Sequence, residues 1–301
     1  MGDSYICQRN GTSTNEYVTI NFDESDIVHS AATSLSEGRK NLAATTVGNY
    51  ALFGGGSGGS SFSSTVDAYN TSLTRSTPTS LSEAREVLVA TSVGNYALFG
   101  GGWGSSFLST VDAYNSNLVR STPTSLSEAR YILAATSVGN YALFGGGKSG
   151  NVYYSTVDAY NTSLTRSTPT ALSEGRGYLS ATSVSNYALF GGGSGNGHSS
   201  TVDAYNTNLT RSTPTSLSET KYALSATTVG DYALFGGGES IDYSSAVDAY
   251  TIVPSTEIQV YPETKYKFNS MQEEQTSTTW QSIDVSLPLQ GYIKVKSANI
   301  S

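Results

Sequence analysis

The sequence predicts an all-β fold, a propeller of five blades that are each a four-stranded antiparallel sheet. The first observation behind it is a repeat. Tyr50-Ala-Leu-Phe-Gly-Gly-Gly56 returns at Tyr96, Tyr141, Tyr187 and Tyr232, a period of 45 or 46 residues within a chain of 301. A fixed period of that size marks a solenoid, a propeller or an array. The second is composition: Gly (31), Tyr (21), Ser and Thr abound while charged residues make up only 13%, the balance of short strands joined by tight turns. The third concerns the ends. After Val247-Asp-Ala-Tyr250 the pattern stops without its fourth strand, whereas Asp26–Ser30 precedes Leu35 as a fourth strand with nothing before it. A ring lets that orphan strand complete the last sheet, whereas an open solenoid would need a cap at each end.

Taken in order, residues 1–24 read as an extension, 25–253 as the propeller and 254–301 as a small β module. Tyr17–Phe22 alternates as a strand does, and Asp23-Glu-Ser-Asp26 is an acidic connection. Ile27 takes the repeat position of Leu73, and His29 that of Arg75. In the third repeat the four strands are expected at Ile132–Val138, Tyr141–Gly145, Ser155–Tyr160 and Leu164–Thr168. Gly139-Asn140 is a hairpin signal between the first two. The Gly triplet allows close backbone approach, and Pro169 sits at an outer edge where a missing N–H is tolerated. In the last segment Thr256–Tyr261, Lys265–Phe268, Ser282–Leu287 and Gly291–Lys296 alternate and are divided by turn-forming residues, a pattern suited to oligomerisation through that module.

Several functions are set aside on composition. The formal net charge is −8 and no basic face is visible, so nucleic acid is not an expected partner. Neither a signal peptide nor a membrane-spanning run is read; the location stays open, with a virion-associated or a cytoplasmic one both compatible. Cys7 is the single cysteine, so no internal disulfide can form. Gly54–Gly59 matches a dinucleotide-loop pattern, and Gly147-Lys148-Ser149 the end of a phosphate loop. Both run from strand to strand instead of opening a helix, so they are turn glycines. No cofactor and no metal are expected.

With these residues in view, the repeats resemble the kelch family. The likeness lies in Tyr-Ala-Leu-Phe-Gly-Gly, in Val-Asp-Ala-Tyr, and in Arg39, Arg85, Arg130 and Arg176 at the blade boundaries, and it spans about Asp26 to Tyr250. The resemblance implies a propeller of four-stranded blades. The chain departs from the family in two ways. Arg-Ser pairs at Arg75, Arg120, Arg166 and Arg211 stand where the family has Trp, and Lys221 replaces the last boundary Arg. Packing between blades must therefore use something other than an indole. WD40 repeats fit less well, since no Trp-Asp dipeptide occurs and Trp103 and Trp280 lie elsewhere. Repeats of this low-complexity kind are also similar to those of gut bacteria and their phages.

Kelch oxidases hold copper with His and Tyr beside a Cys-linked Tyr. Here His29 and His198 are the only histidines and Cys7 precedes the repeats, so that chemistry is not expected. Arg39, Arg85, Arg130, Arg176 and Lys221 could clamp an acidic sugar as in sialidases. Each follows a Glu by two residues, however, and the expectation is a structural role, bonding carbonyls between adjacent blades.

What distinguishes one repeat from the next lies in two loops that emerge on one face, after the Gly triplet and after the boundary Arg or Lys. These carry Phe62, Trp103, Phe107, Tyr131, Tyr153, Tyr154, Tyr178, His198, Tyr222 and Tyr243. Aromatics among Gly, Ser and Asn on a rigid scaffold are typical of binding surfaces. The expected function is non-enzymatic binding or display, in a phage virion or tail or a bacterial adhesin. Partners would be a glycan or protein on a cell surface, or other virion proteins. A kelch-type enzyme acting on sialic acid or galactose is the alternative.

Overall fold

The computed structural model describes residue 29 and residues 32–252. The extension 1–24, the module 254–301 and the closing strand Asp26–Ser30, apart from His29, lie outside the described residues. The chain divides into two units, Met1–Thr251 and Ile252–Ser301, and every described strand lies in the first.

Each repeat folds as an antiparallel blade whose strands lie side by side in chain order, and repeats 1 and 3 add a two-stranded hairpin in the loop after the Gly triplet, Ser57–Gly58 with Ser61–Phe62 and Lys148–Ser149 with Val152–Tyr153. Blade 1 comprises Ala43–Val47, Tyr50–Gly54, Val66–Tyr69 and Arg75–Ser76. Blade 2 comprises Val89–Val93, Tyr96–Gly100, Val111–Asn115 and Arg120–Ser121. Blade 3 comprises Ala134–Val138, Tyr141–Gly145, Val157–Asn161 and Arg166–Ser167. Blade 4 comprises Ser180–Val184, Tyr187–Gly191, Val202–Asn206 and Arg211–Ser212. Blade 5 has Ser225–Val229, Tyr232–Gly236 and Val247–Tyr250, with no fourth strand among the described residues. No helix occurs among the described residues.

Three of the four strands expected in blade 3 differ in their bounds: the third runs Val157–Asn161 and not Ser155–Tyr160, and the first and fourth are cut back for one reason. The first strand of blade 3 begins at Ala134 and not at Ile132, because Ile132 has φ of 50° and cannot continue a strand. The fourth shrinks to Arg166–Ser167 because Leu164 has φ of 60°. Both positions recur, with Asn41, Val87, Tyr178 and Ala223 equivalent to Ile132, and Leu73, Leu118 and Leu209 equivalent to Leu164. Around the propeller mouth the left-handed residues carry hydrogen bonds from blade to blade. Val87 N–H donates to Asn41 O at 2.9 Å, Tyr178 N–H to Ile132 O at 3.0 Å and Ala223 N–H to Tyr178 O at 2.9 Å. Those bonds offset a backbone conformation that β-branched Val87 and Ile132 would otherwise avoid.

Phenylalanine fills the space between blades. The ring of Phe99 lies where a Cβ on Gly54 would stand, 2.8 Å from its Cε1, and Phe144, Phe190 and Phe235 cover Gly100, Gly145 and Gly191 at 2.7 Å in the same way. Only glycine leaves room for the ring. Each Phe also meets its own blade's Tyr edge-on, as Phe144 does Tyr160 with centroids 5.8 Å apart. Four apolar clusters result, one at each junction from blade 1 to blade 5. At each, a Val, Leu, Val and Ala from one blade pack on the Ala, Phe and Tyr of the next.

The fifth such junction is not made among the described residues. Innermost strands pack in order from blade 1 to blade 5, but the first strand of blade 5 does not pack on that of blade 1. Val66, Val111, Val157 and Val202 are fully buried, whereas Val247 is 63% exposed. Val229 is 61% exposed, against at most 4% for Val47, Val93, Val138 and Val184.

Candidate ligand-binding face

The boundary cations belong to the scaffold. Arg39, Arg85, Arg130 and Arg176 reach Asp67, Asp112, Asp158 and Asp203 at 2.6 to 2.7 Å, and Lys221 reaches Asp248 at 2.9 Å, with all five side chains buried. The same arginines donate to the carbonyls of Phe53, Phe99, Phe144 and Phe190 at 3.0 to 3.2 Å. These partners all lie in the blade that the boundary segment enters, so the expected side-chain bonding between adjacent blades is corrected. It is the backbone of the same residue that crosses the junction. Gly56, Gly102, Gly147 and Gly193 N–H donate to the carbonyls of Arg85, Arg130, Arg176 and Lys221 at 2.8 to 2.9 Å. Burial lowers the guanidinium pKa of Arg85, Arg130 and Arg176, with the neighbouring Asp opposing it, and burial raises that of Asp158 against Arg130. Side chains this enclosed cannot clamp a sugar.

The carboxylates two residues earlier stay largely exposed but are tied to the scaffold. Glu37, Glu83, Glu174 and Glu219 accept hydrogen bonds from Ser63, Thr110, Ser199 and Ser244, ahead of each third strand. Hydrogen bonds from Ser63 and Thr65 hold the Glu37 carboxyl below its usual range.

The variable loops are built differently. In every blade the residue after the boundary cation pairs with the residue after the Gly triplet: Lys40 with Ser57, Glu86 with Trp103, Tyr131 with Lys148, Gly177 with Ser194 and Tyr222 with Glu239. This bridge fixes both loops at one end of the sheet. Glu86 adds a tie between blades, accepting from Ser57 Oγ at 2.6 Å and Asn41 Nδ2 at 2.8 Å, and these bonds lower its pKa.

Aromatic side chains on the bridged loops form a continuous run over blades 1 to 3. Phe62 lies 6.2 Å from Trp103, which lies 6.0 Å from Tyr131, and Phe107 stacks on Tyr131 at 5.2 Å with an 18° interplanar angle. Lys148 Nζ continues the run, 5.9 Å from the Tyr131 centroid and 5.2 Å from that of Tyr153. Trp103, with 43% of its surface exposed, is the open centre. A second group joins blades 4 and 5, where Tyr222 meets His198 at 4.6 Å and Tyr178 at 6.0 Å. Glu239 beside Tyr222 raises the phenol pKa.

The structure thus assembles Phe62, Trp103, Phe107, Tyr131 and Tyr153 in one place and Tyr178, His198 and Tyr222 in another. Tyr243 joins neither and stands 89% exposed. Tyr154 is half-buried and works through its backbone, donating to Gly147 O at 2.9 Å and accepting from Arg176 N–H at 3.2 Å. Sequence reasoning passed over Lys148 as a residue of this face. Its signal was positional, since Lys148 and Trp103 occupy the same place after their Gly triplets.

Where the innermost strands of blades 1 to 4 converge there is a cavity of about 290 Å³, lined by residues such as Ala43, Leu88, Leu133, Leu179 and Ser180. It presents no charged side chain, which leaves the loop face as the candidate site.

Comparison with known proteins bears on the fold. No family model and no curated protein matches the sequence. Among solved structures the chain is similar to YjhT, with a TM-score of 0.61 and 12% identity over 74% of this chain and 84% of that one. The fold is a β-propeller. At 12% identity the likeness carries the architecture alone.

Proposed function

We propose that this propeller is a non-enzymatic display module that binds a glycan of a cell surface through the loop face, as part of a virion or an adhesin. The observation that carries the reading is the aromatic run from Phe62 through Trp103 and Tyr131 to Lys148 and Tyr153, with Phe62 and Trp103 exposed and the others half-buried. Flat aromatic surfaces suit the apolar faces of sugar rings, and rigid Tyr and Trp side chains lose little entropy on binding. Burial of the repeat arginines also supports binding over a sialidase-type clamp. The kelch-like repeats add support of the same coarse kind, as a scaffold for variable loops.

A glycan array probed with the full chain tests this. Trp103→Ala with Tyr131→Ala and Tyr153→Ala should abolish glycan retention while the cooperative melt and the β-sheet circular-dichroism spectrum persist, since Trp103 is exposed and the two tyrosines are only half-buried. Retention by the triple variant would move the site off this face. Release of a free sugar from the bound glycan would replace display with catalysis.

A further inference from the structure

Almost every lysine and arginine among the described residues is committed to a carboxylate. Arg39, Arg85, Arg130, Arg176 and Lys221 pair with the aspartates of their blades, and Arg75, Arg120, Arg166 and Arg211 meet four of the same aspartates at 2.6 to 3.5 Å. Lys40 is exposed and lies near Glu86, whose carboxyl Ser57, Asn41 and Lys40 together hold below its usual range. Lys148 differs from all of these. It is half-buried, and every ion pair of blades 3 and 4 among the described residues is made by an arginine, so none occupies it.

Two features of the loops leave its ammonium available. The position after a Gly triplet is covered from the next blade by the residue after that blade's boundary cation: Glu86 accepts from Ser57 Oγ at 2.6 Å, and Tyr131 lies 6.0 Å from Trp103. Lys148 has Gly177 in that place. The junction is otherwise the same, with Tyr178 N–H donating to Ile132 O at 3.0 Å as Val87 N–H does to Asn41 O at 2.9 Å. Gly177 offers no side chain, and a Cβ there would stand 2.7 Å from Ile132 Cδ1. The other feature is the pair of tyrosines that are cross-strand neighbours of Lys148. Its Nζ lies 5.2 Å from the Tyr153 centroid and 5.9 Å from that of Tyr131, so two rings hold the ammonium without neutralising it.

The aromatic platform thus ends in an unneutralised cation. Trp103 lies 6.0 Å and Lys148 Nζ 5.9 Å from the Tyr131 centroid, so the two are at most about 12 Å apart, within the span of a disaccharide. The chemistry of the cation narrows what it takes. A planar carboxylate is held best by the two-pronged fork of an arginine, and the repeat arginines are occupied. A compact ammonium with three donors suits a tetrahedral ester, which presents an oxygen in any orientation that the sugar imposes.

We propose that Lys148 is an anion subsite of the loop face and selects glycans bearing a sulfate or phosphate ester, held between Tyr131 and Tyr153 while a neighbouring sugar lies on Trp103. This selection rests on the glycan reading given above and narrows it to one chemical class. The chain as a whole, with a net charge of −8, repels such a ligand, so retention depends on this local contact.

The test is a glycan array probed with the full chain, on which each backbone is present unsubstituted, as its sulfate ester, as its phosphate ester and as its uronic acid. Sulfated or phosphorylated members should be retained over the unsubstituted ones, and the ester retained identifies the anion. Lys148→Gln should lower the affinity for a retained ester by about tenfold or more, the loss expected when a charged hydrogen bond is removed, while binding of the matched neutral backbone stays as it was. Lys148→Arg should keep most of the affinity. Lys40→Gln makes the same change of net charge on the same face and should alter it little. Equal losses from Lys40→Gln and Lys148→Gln would reduce the effect to overall charge and overturn the proposal. Equal retention of esters and neutral backbones would overturn it too, while leaving the glycan reading in place. Retention confined to uronic acids would assign Lys148 to a carboxylate and refute the ester. If no member is retained, the glycan reading falls and the subsite with it.

Discussion

Removing one carboxylate from the scaffold tests the role assigned to the repeat arginines. In blade 3, Asp158 accepts from Arg130 Nη2 at 2.6 Å, from Ser127 N–H at 3.1 Å and from Ser127 Oγ at 3.1 Å, and lies 3.4 Å from Arg166 Nη1. Both members of the central pair are fully buried. Asp158→Asn preserves shape but leaves the enclosed Arg130 charge with the Phe144 and Thr156 carbonyls, at 3.1 and 2.8 Å, and with no carboxylate nearer than the partly exposed Glu128 at 3.8 Å. Breaking a buried pair from one side costs about 3 to 5 kcal/mol. At roughly 2 to 4 °C per kcal/mol for a domain of this size, the midpoint should fall by at least about 6 °C in a calorimetric or circular-dichroism melt. Arg130→Met combined with Asp158→Leu should recover most of that loss, because no charge is then stranded. Asp248→Asn should cost less, as Asp248 is 14% exposed and Lys221 is its only cation among the described residues. A loss under about 1 kcal/mol for Asp158→Asn would mean that water reaches the pair, and the reasoning would fail.

Gly100→Ala should lower stability by about 1 to 3 kcal/mol in a denaturant titration, since the new methyl would stand 2.7 Å from Phe144 Cε1 at a position where φ itself is no obstacle. Burial raises the phenols of Tyr114, Tyr160 and Tyr205 and pushes that of Tyr250 up to about 12. The folded state therefore keeps protons that an unfolded tyrosine releases near pH 10, so this stability is complete below about pH 10 and is lost as pH rises toward 12. The slope should approach about 1.4 kcal/mol per pH unit for each tyrosine, and Tyr160→Phe should remove one share of it.

Much of the fold could be read from the repeat because each strand is a short apolar alternation and each turn holds Gly, Asn or Pro. Tyr141–Gly145 begins and ends where its letters change character. Ile132 could not be read that way. A β-branched residue after a tyrosine looks like strand, and only the hydrogen bonding across the mouth makes its left-handed conformation tolerable. The arginines were legible as structural from the Glu beside them, yet which blade they bond depends on a return path of 28 residues from Arg130 to Asp158 that no local pattern fixes. On the loop face, the positions that vary were visible in the sequence. That Phe107 stacks on Tyr131 while Tyr243 stands apart follows from the bridges between loops, and these appear only once the sheets are formed.

The Phe-over-Gly junction has a consequence for how such a chain can change over time. All four junctions use the same contacts, so an in-frame gain or loss of one 45- or 46-residue unit by unequal recombination leaves every remaining junction chemically intact. The loops lie outside the Phe-over-Gly contacts, although Glu86 ties its loop to Ser57 and Asn41 of the blade before. Whole blades can therefore be exchanged among related genes, each bringing its own pair of loops, and the loop face can be reshuffled in blocks while the Phe-over-Gly scaffold stays fixed.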